Sequence, residues 1–269
     1  MVIILMGPHG PCLRRRSRDG SIAAICVGQG PSVTLLHGVG LNADAWGAQI
    51  DVLSQDYGIT AFDMAGHGAS AALKIAKPKL ADYVDAVCVN LSAPTVVVGH
   101  SMGAMIALKL AHNPAVIGVV ALNAIYRRTP TASAVVRARA KQLWDERSVN
   151  PEPTLMRWFD DLTSPEATAC ERWLRAVPMD GYRAAYSVFA NEHGPTASEL
   201  KSLHKPALFI TGEREPNSTP EMSIQMAECC PMGQAHIVDD AAHMMPMTHA
   251  GEVNAHLRAF ISQCHQGEV

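Results

Sequence analysis

The stretch Thr95-Val96-Val97-Val98-Gly99-His100-Ser101-Met102-Gly103-Ala104 most restricts what this chain can become. Four β-formers lead into Gly-x-Ser-x-Gly, and an apolar helical run from Met102 to His112 follows. A turn this sharp between strand and helix forces the serine into a strained backbone conformation, and the glycines two residues to either side keep bulky side chains out of the way. Such an elbow lifts the Ser101 hydroxyl clear of a sheet and sets a helix N-terminus beneath it. Without its flanks the pattern would be an ordinary tight turn. With them it predicts a strand inside a sheet, a buried helix and a candidate nucleophile.

Around the elbow the chain alternates. Strands are expected at Ser21–Val27, Ser32–Leu36, Gly58–Phe62, Val116–Leu122, 207–210 and 235–238. Helical spacing runs between them at 43–53, at Leu80, Tyr83, Val84, Val87 and Leu91, at 220–230, and at Val253, Leu257, Phe260, Ile261 and Cys264. Nearly unbroken apolar strands separated by helices predict a parallel sheet covered on both faces. The rhythm stops at about Ile125 and resumes at about 204; the residues between are helical in composition. The expected organisation is an α/β core of residues 20–124 and 204–265, a helical lid at 125–203, and a poorly defined segment at 1–19. In that segment Val2–Leu5 reads as an edge strand broken by Pro8, Gly10 and Pro11.

A length of 269 residues suits one large domain with an insertion. A net charge of −3 gives no electrostatic case for nucleic acid or an anionic membrane surface. Neither a signal-peptide core nor a run of the ~20 apolar residues that a membrane helix needs is seen. The 7 cysteines are odd in number and scattered, with no C-x-x-C pair, so they read as free thiols of a reducing, cytoplasmic compartment. Gly28-Gln29-Gly30 lacks the third glycine and the helix of a dinucleotide site.

A serine hydroxyl needs a base to take its proton and a carboxylate to orient that base. On this topology both belong in loops after later strands, in the order nucleophile, acid, base. His243 is the base candidate: it follows the last strand and precedes the last helix. His112, His249 and His256 lie on or beside helices and read as surface or packing residues. Glu215, in Thr211-Gly212-Glu213-Arg214-Glu215-Pro216, sits where the acid belongs, with Glu213 its rival if the loop stays extended. Asn123, after the Val116–Leu122 strand, is an amide and cannot compensate an imidazolium. Asp239 and Asp240 end a strand and read as loop caps. Two backbone N–H groups would hold the oxyanion, one from Met102 at the helix N-terminus and one from Val39 in His37-Gly38-Val39-Gly40. His37 and His67 read as braces of their turns.

These motifs, together with Asp63-x-x-Gly66-x-Gly68-x-Ser70, resemble the α/β-hydrolase superfamily over residues 20–265. The likeness is to the bacterial branch that includes enol-lactonases, carboxylesterases and meta-cleavage C–C hydrolases. It implies an α/β-hydrolase fold: a mostly parallel eight-stranded sheet with helices on both faces, a helical lid, and a Ser–acid–His triad. Most of that branch carries aspartate where Glu215 stands, and the longer glutamate requires the loop to sit back. Siblings that act as dehalogenases or epoxide hydrolases need aspartate where Ser101 is.

The expected function is a serine hydrolase without cofactor or metal that cleaves a small carboxylic ester or lactone through Ser101, His243 and Glu215. Amide or C–C bond cleavage on the same triad is the alternative, followed by a lyase or oxygenase, or a non-catalytic ligand receptor, on the same scaffold. Arg127 and Arg128 are candidates for holding a substrate carboxylate, against the alternative of a solvated basic hinge. Arg137, Arg139 and Lys141 read as an exposed helix face. Trp144, Trp158, Phe159 and Trp173 are either pocket wall or the core of the helical segment, and Met244, Met245 and Met247 are a candidate apolar wall beside His243.

Overall fold

The computed structural model describes residues 3–7, 10–16, 22–92, 94–146 and 148–267 of the 269. In chain order the elements are β1 (Ile3–Gly7), β2 (Gly10–Arg16), β3 (Ala23–Val27), β4 (Ser32–Leu36), a 3-10 turn at Ala43–Trp46, α1 (Gly47–Leu53), β5 (Gly58–Asp63), α2 (Leu80–Cys88), β6 (Thr95–His100), α3 (Met102–Leu110) and β7 (Val116–Leu122). Helices α4 (Pro130–Gln142), α5 (Glu152–Trp158), α6 (Pro165–Ala176), α7 (Met179–Asn191) and α8 (Ala197–Lys201) follow. The chain closes with β8 (Ala207–Gly212), α9 (Pro220–Cys229), β9 (Gly233–Val238), α10 (Met245–Thr248) and α11 (Ala250–Gln266).

The strands make one sheet in the order β1-β2-β3-β5-β4-β6-β7-β8-β9. From β5 to β9 every neighbouring pair is parallel, and β1, β2 and β3 run antiparallel at the other edge. The sheet has one strand more than the eight expected, because the N-terminal segment folds as a hairpin onto β3. The residues that were read as breaking an edge strand serve that hairpin: Gly7 pairs with Gly10 beside the reversal, and Pro11 lies next to it, where a missing donor is tolerated. Val2 and Pro8 lie outside the described residues.

Alternation along the parallel strands builds two cores. Val97, Val119 and Phe209 face the layer of α2, α3 and α9, while Val96, Val98, Val120, Leu208 and Ile210 face the layer of α1 and α11. Each fully buried valine or leucine on these faces contributes about 1.5–3 kcal/mol relative to exposure. The stripe read for the last helix is in place: Val253, Leu257, Phe260, Ile261 and Cys264 are all buried. The residues between β7 and β8 form helices, with no strand among those described. Leu155, Phe159, Ala167, Cys170, Leu174 and Tyr182 make a separate core there that closes over Leu41 and Met244. No described helix is long and apolar enough to cross a membrane.

Candidate active site

At the end of β6 the backbone does what the sequence demanded. Ser101 has φ 56° and ψ −117°, caps α3, and donates its own N–H to the Leu122 carbonyl at 2.8 Å. The glycines are required by close approach: a Cβ on Gly99 would stand 2.1 Å from the Gly103 carbonyl, and one on Gly103 2.1 Å from the Leu36 carbonyl. These contacts clamp α3 against β4 and β6 and fix where the hydroxyl emerges. Met102 opens α3, so its N–H has no partner within the helix. Val39 follows β4 and lines the same cavity as Ser101 and His243.

His243 stands in the loop between β9 and α10. Its Nδ1 lies 2.5 Å from Glu215 Oε2, which makes Nδ1 the donor and leaves Nε2 able to accept a proton. Glu215 is 2% exposed. Burial alone would raise its pKa, but the His243 imidazole, the hydrogen bond from it and the N–H groups of Asn217 and Ser218 hold the carboxyl below its ordinary value. Those amides reach Glu215 Oε1 at 2.7 and 3.3 Å. The rival is turned elsewhere. Glu213 Oε2 accepts from the Asp240 N–H at 2.9 Å, so the structure brings Glu215, not Glu213, to the imidazole. The loop does not stay extended: the Glu215 N–H donates back to the Gly212 carbonyl at 3.1 Å, and this turn separates the two carboxylates.

The backbone of His243 is held as firmly as its ring. Its carbonyl accepts from Asn123 Nδ2 at 2.8 Å and from His100 Nε2 at 2.9 Å. Asn123 Oδ1 in turn accepts from the Gly212 N–H at 3.3 Å, tying the histidine loop to the end of β8. Asn123 was set aside above because an amide is no substitute for the acid; here it is a bridge between the two loops. Burial, reinforced by the neighbouring His243, pushes the His100 pKa down to about 3. His100 therefore stays neutral at ordinary pH, with Nε2 carrying the proton that it donates to this carbonyl. His37 and His67 brace turns as expected. His37 Nε2 accepts from the Met64 N–H at 2.9 Å while Nδ1 bonds the Gly38 carbonyl at 2.7 Å.

Ser101 and His243, 7% and 9% exposed, open into a cavity of about 460 Å³. Its far wall is helical: Arg139, Gln142, Arg157, Tyr182, Tyr186 and Phe189 come from α4, α5 and α7. Trp158 also lines it and stacks on His243, ring centroids 5.3 Å apart and planes 20° apart. Phe159 and Trp173 pack in the core of the helical segment, and Trp144 is exposed. Met244 and Met245 are buried in the cores, and Met247 packs beside Cys170, so none of these methionines forms a wall of the cavity.

Neither Arg127 nor Arg128 is on the cavity wall. Arg127 is exposed beside the Tyr126 ring, at a left-handed φ of 50°. Arg128 is buried with its guanidinium over the Phe189 ring, 3.3 Å from the Glu192 carbonyl. Other arginines, from α4 and α5, line the cavity instead. Those are Arg139, which pairs with Glu146, and Arg157, whose Nη2 lies 3.4 Å from Thr154 Oγ1. Arg139 was read as part of an exposed helix face, but it is half-buried on the cavity wall, and Arg157 was not singled out; a helix over a cavity has a cavity side and a solvent side that the core stripe does not separate.

Over residues 35–256 the chain matches the profile of a family described as the alpha/beta hydrolase family. It is similar to the (E)-2-((N-methylformamido)methylene)succinate hydrolase of Acinetobacter baylyi, 37% identical over 243 residues, 87% of this chain and 91% of that one. Among solved structures, a malate-bound thermophilic esterase from Thermogutta terrifontis superposes with a TM-score of 0.80 at 23% identity, over 98% of both chains. The enol-lactonase from Burkholderia xenovorans LB400 superposes with a TM-score of 0.78 at 20% identity, over 90% of this chain and 96% of that one.

Proposed function

The chain belongs to the α/β-hydrolase family, and from that premise we propose that it is a serine hydrolase acting on the amide of a small carboxylate-bearing molecule. One observation carries the reading: Ser101 and His243 line the same cavity as two basic residues, Arg139 and Arg157. An acyl group can meet the hydroxyl while a carboxylate elsewhere on the same small molecule meets an arginine. The Acinetobacter relative supports the substrate class, since its name describes an N-acyl compound built on succinate. An ester or lactone of such an acid would follow the same steps.

The geometry supports the following steps. His243 Nε2 takes the Ser101 proton as Oγ attacks the carbonyl carbon, and the N–H groups of Val39 and Met102 hold the oxyanion. His243 then gives that proton to the leaving nitrogen as the C–N bond breaks, leaving an acyl group on Ser101. A water molecule, deprotonated by His243, displaces it and frees the acid. Glu215 keeps the imidazole in the right tautomer and offsets its charge while it is protonated. Helices α4, α5 and α7, within the lid proposed at residues 125–203, supply the far wall, and Trp158 keeps water off one face of His243.

The experiment compares (E)-2-((N-methylformamido)methylene)succinate with p-nitrophenyl acetate, a neutral ester, in wild type and Arg157→Ala. Loss of one charged hydrogen bond is expected to raise KM for the dicarboxylate by roughly 10- to 100-fold and leave the neutral ester within about threefold. Failure to turn over the dicarboxylate, or an equal loss on both substrates, overturns the assignment.

A further inference from the structure

At the edge of the sheet a second cluster of side chains has no part in the hydrolytic steps. His236 lies on β9, two residues before Val238, which is buried under α11 with Val253 and Leu257. The two-residue period of a strand puts His236 on that same face. On α11, Glu252 and His256 are four residues apart, one helical turn, and so share a side of the helix. The three meet: His236 Nε2 lies 2.7 Å from Glu252 Oε1, and the His236 and His256 rings are 3.6 Å apart at their centroids. One ligand atom from each residue can be chosen so that all three lie within 4.8 Å of one another.

We propose that His236, Glu252 and His256 bind one divalent transition-metal ion of the zinc class. Two imidazoles and a carboxylate are a borderline-hard donor set that suits zinc and its neighbours and leaves a fourth position for water. Zinc holds such donors at about 2.0–2.2 Å, so tetrahedral partners stand roughly 3.4 Å apart, and small rotations of two half-exposed rings close the difference. A single carboxylate shared between two imidazoles satisfies one of them well, as the 2.7 Å contact does; the metal would engage all three. Its position matters to the molecule. His236 precedes the loop that carries His243, and Glu252 and His256 follow it, so the ion would tie together the two ends of the segment 237–251.

The test uses the full chain stripped with chelator and titrated with Zn²⁺ alone by calorimetry, and with Co²⁺ alone by visible absorption. Wild type, His256→Ala on the helix and His236→Ala on the strand are compared, with the exposed His204→Ala as control. The expected result is one equivalent bound by wild type and by the control, at least tenfold weaker binding in both cluster variants, and a melting temperature that Zn²⁺ raises only where binding is retained. Melting curves without metal establish that each variant is folded. No saturable binding by wild type, or unchanged binding in both cluster variants, overturns the proposal. Because the readout is metal binding, it stands or falls independently of the hydrolytic reading.

Discussion

Glu215 keeps its negative charge in a place that opposes it, almost wholly shielded from water, because His243 and two backbone amides compensate it. Replacing it by glutamine removes the charge and offers the imidazole a group that can present an N–H as well as an oxygen. Glu215→Gln is expected to lower kcat by about 10³- to 10⁴-fold with little change in KM, as loss of a triad carboxylate does. Glu213→Gln, whose carboxylate caps the Asp240 amide, should stay within about fivefold of wild type. Steady-state kinetics of the two variants side by side separate the roles, and the reverse order would move the acid to Glu213. The sequence favoured Glu215 and kept Glu213 as a rival on the condition that the loop stayed extended. A hydrogen bond from the Glu215 N–H to the Gly212 carbonyl bends that loop and removes the condition. The bridging role of Asn123 was not legible for a related reason. Its chemistry excludes it as an acid, and its work of bridging Gly212 and His243 depends on contacts 89 and 120 residues distant in sequence.

Among the elements, β6 and α3 were the most legible, because an apolar run, two glycines and a serine at fixed spacing leave the backbone few options. Their junction tolerates little change. Gly103→Ala would drive a methyl group into the Leu36 carbonyl at 2.1 Å, and backbone cannot move aside as a flexible side chain can. The variant is expected to lose about 3 kcal/mol or more of stability, read as a shift in the urea midpoint at unchanged m-value. The parallel strands and α11 were equally readable, since both faces of the sheet are buried and the apolar period survives intact. The helical segment was readable only as helix. Which of its side chains face Ser101 depends on how α4, α5 and α7 cross, and periodicity carries no information about that; Arg139 and Arg157 therefore came from the structure, and Arg127 and Arg128 moved off the cavity. The N-terminal hairpin was missed because Gly10 and Pro11 were taken as stops, whereas on the second strand of the hairpin Gly10 pairs with Gly7 and the missing donor of Pro11 is tolerated.

For the molecule as a whole, the three most deeply buried histidines, His37, His67 and His100, make acid the main threat. Burial pushes the pKa of His37 down to about 4; burial, with His37 beside it, pushes that of His67 down to about 3, and His100 sits at about 3. Unfolded, each would titrate near 6.5, so between that pH and about 4 the unfolded chain binds protons that the folded chain refuses. The sign follows: stability is full above about 6.5 and falls as pH drops, by up to roughly 1.4 kcal/mol per pH unit for each histidine. Glu215, with its pKa depressed in the fold, adds a further loss only at the acid end, as pH falls past the ordinary carboxylate range. Urea midpoints measured from pH 8 to pH 4 should decline steeply below 6.5, and a flat profile across that window would contradict the assignment of three neutral buried imidazoles. The proposed chemistry depends on one hydroxyl, and one substitution tests it most directly. Ser101→Ala keeps the Cβ and the elbow while deleting the nucleophile, so with a melting temperature near that of wild type its kcat on p-nitrophenyl acetate is expected to fall by roughly 10⁵-fold or more. A folded Ser101→Ala protein that retains activity within tenfold of wild type would contradict the account.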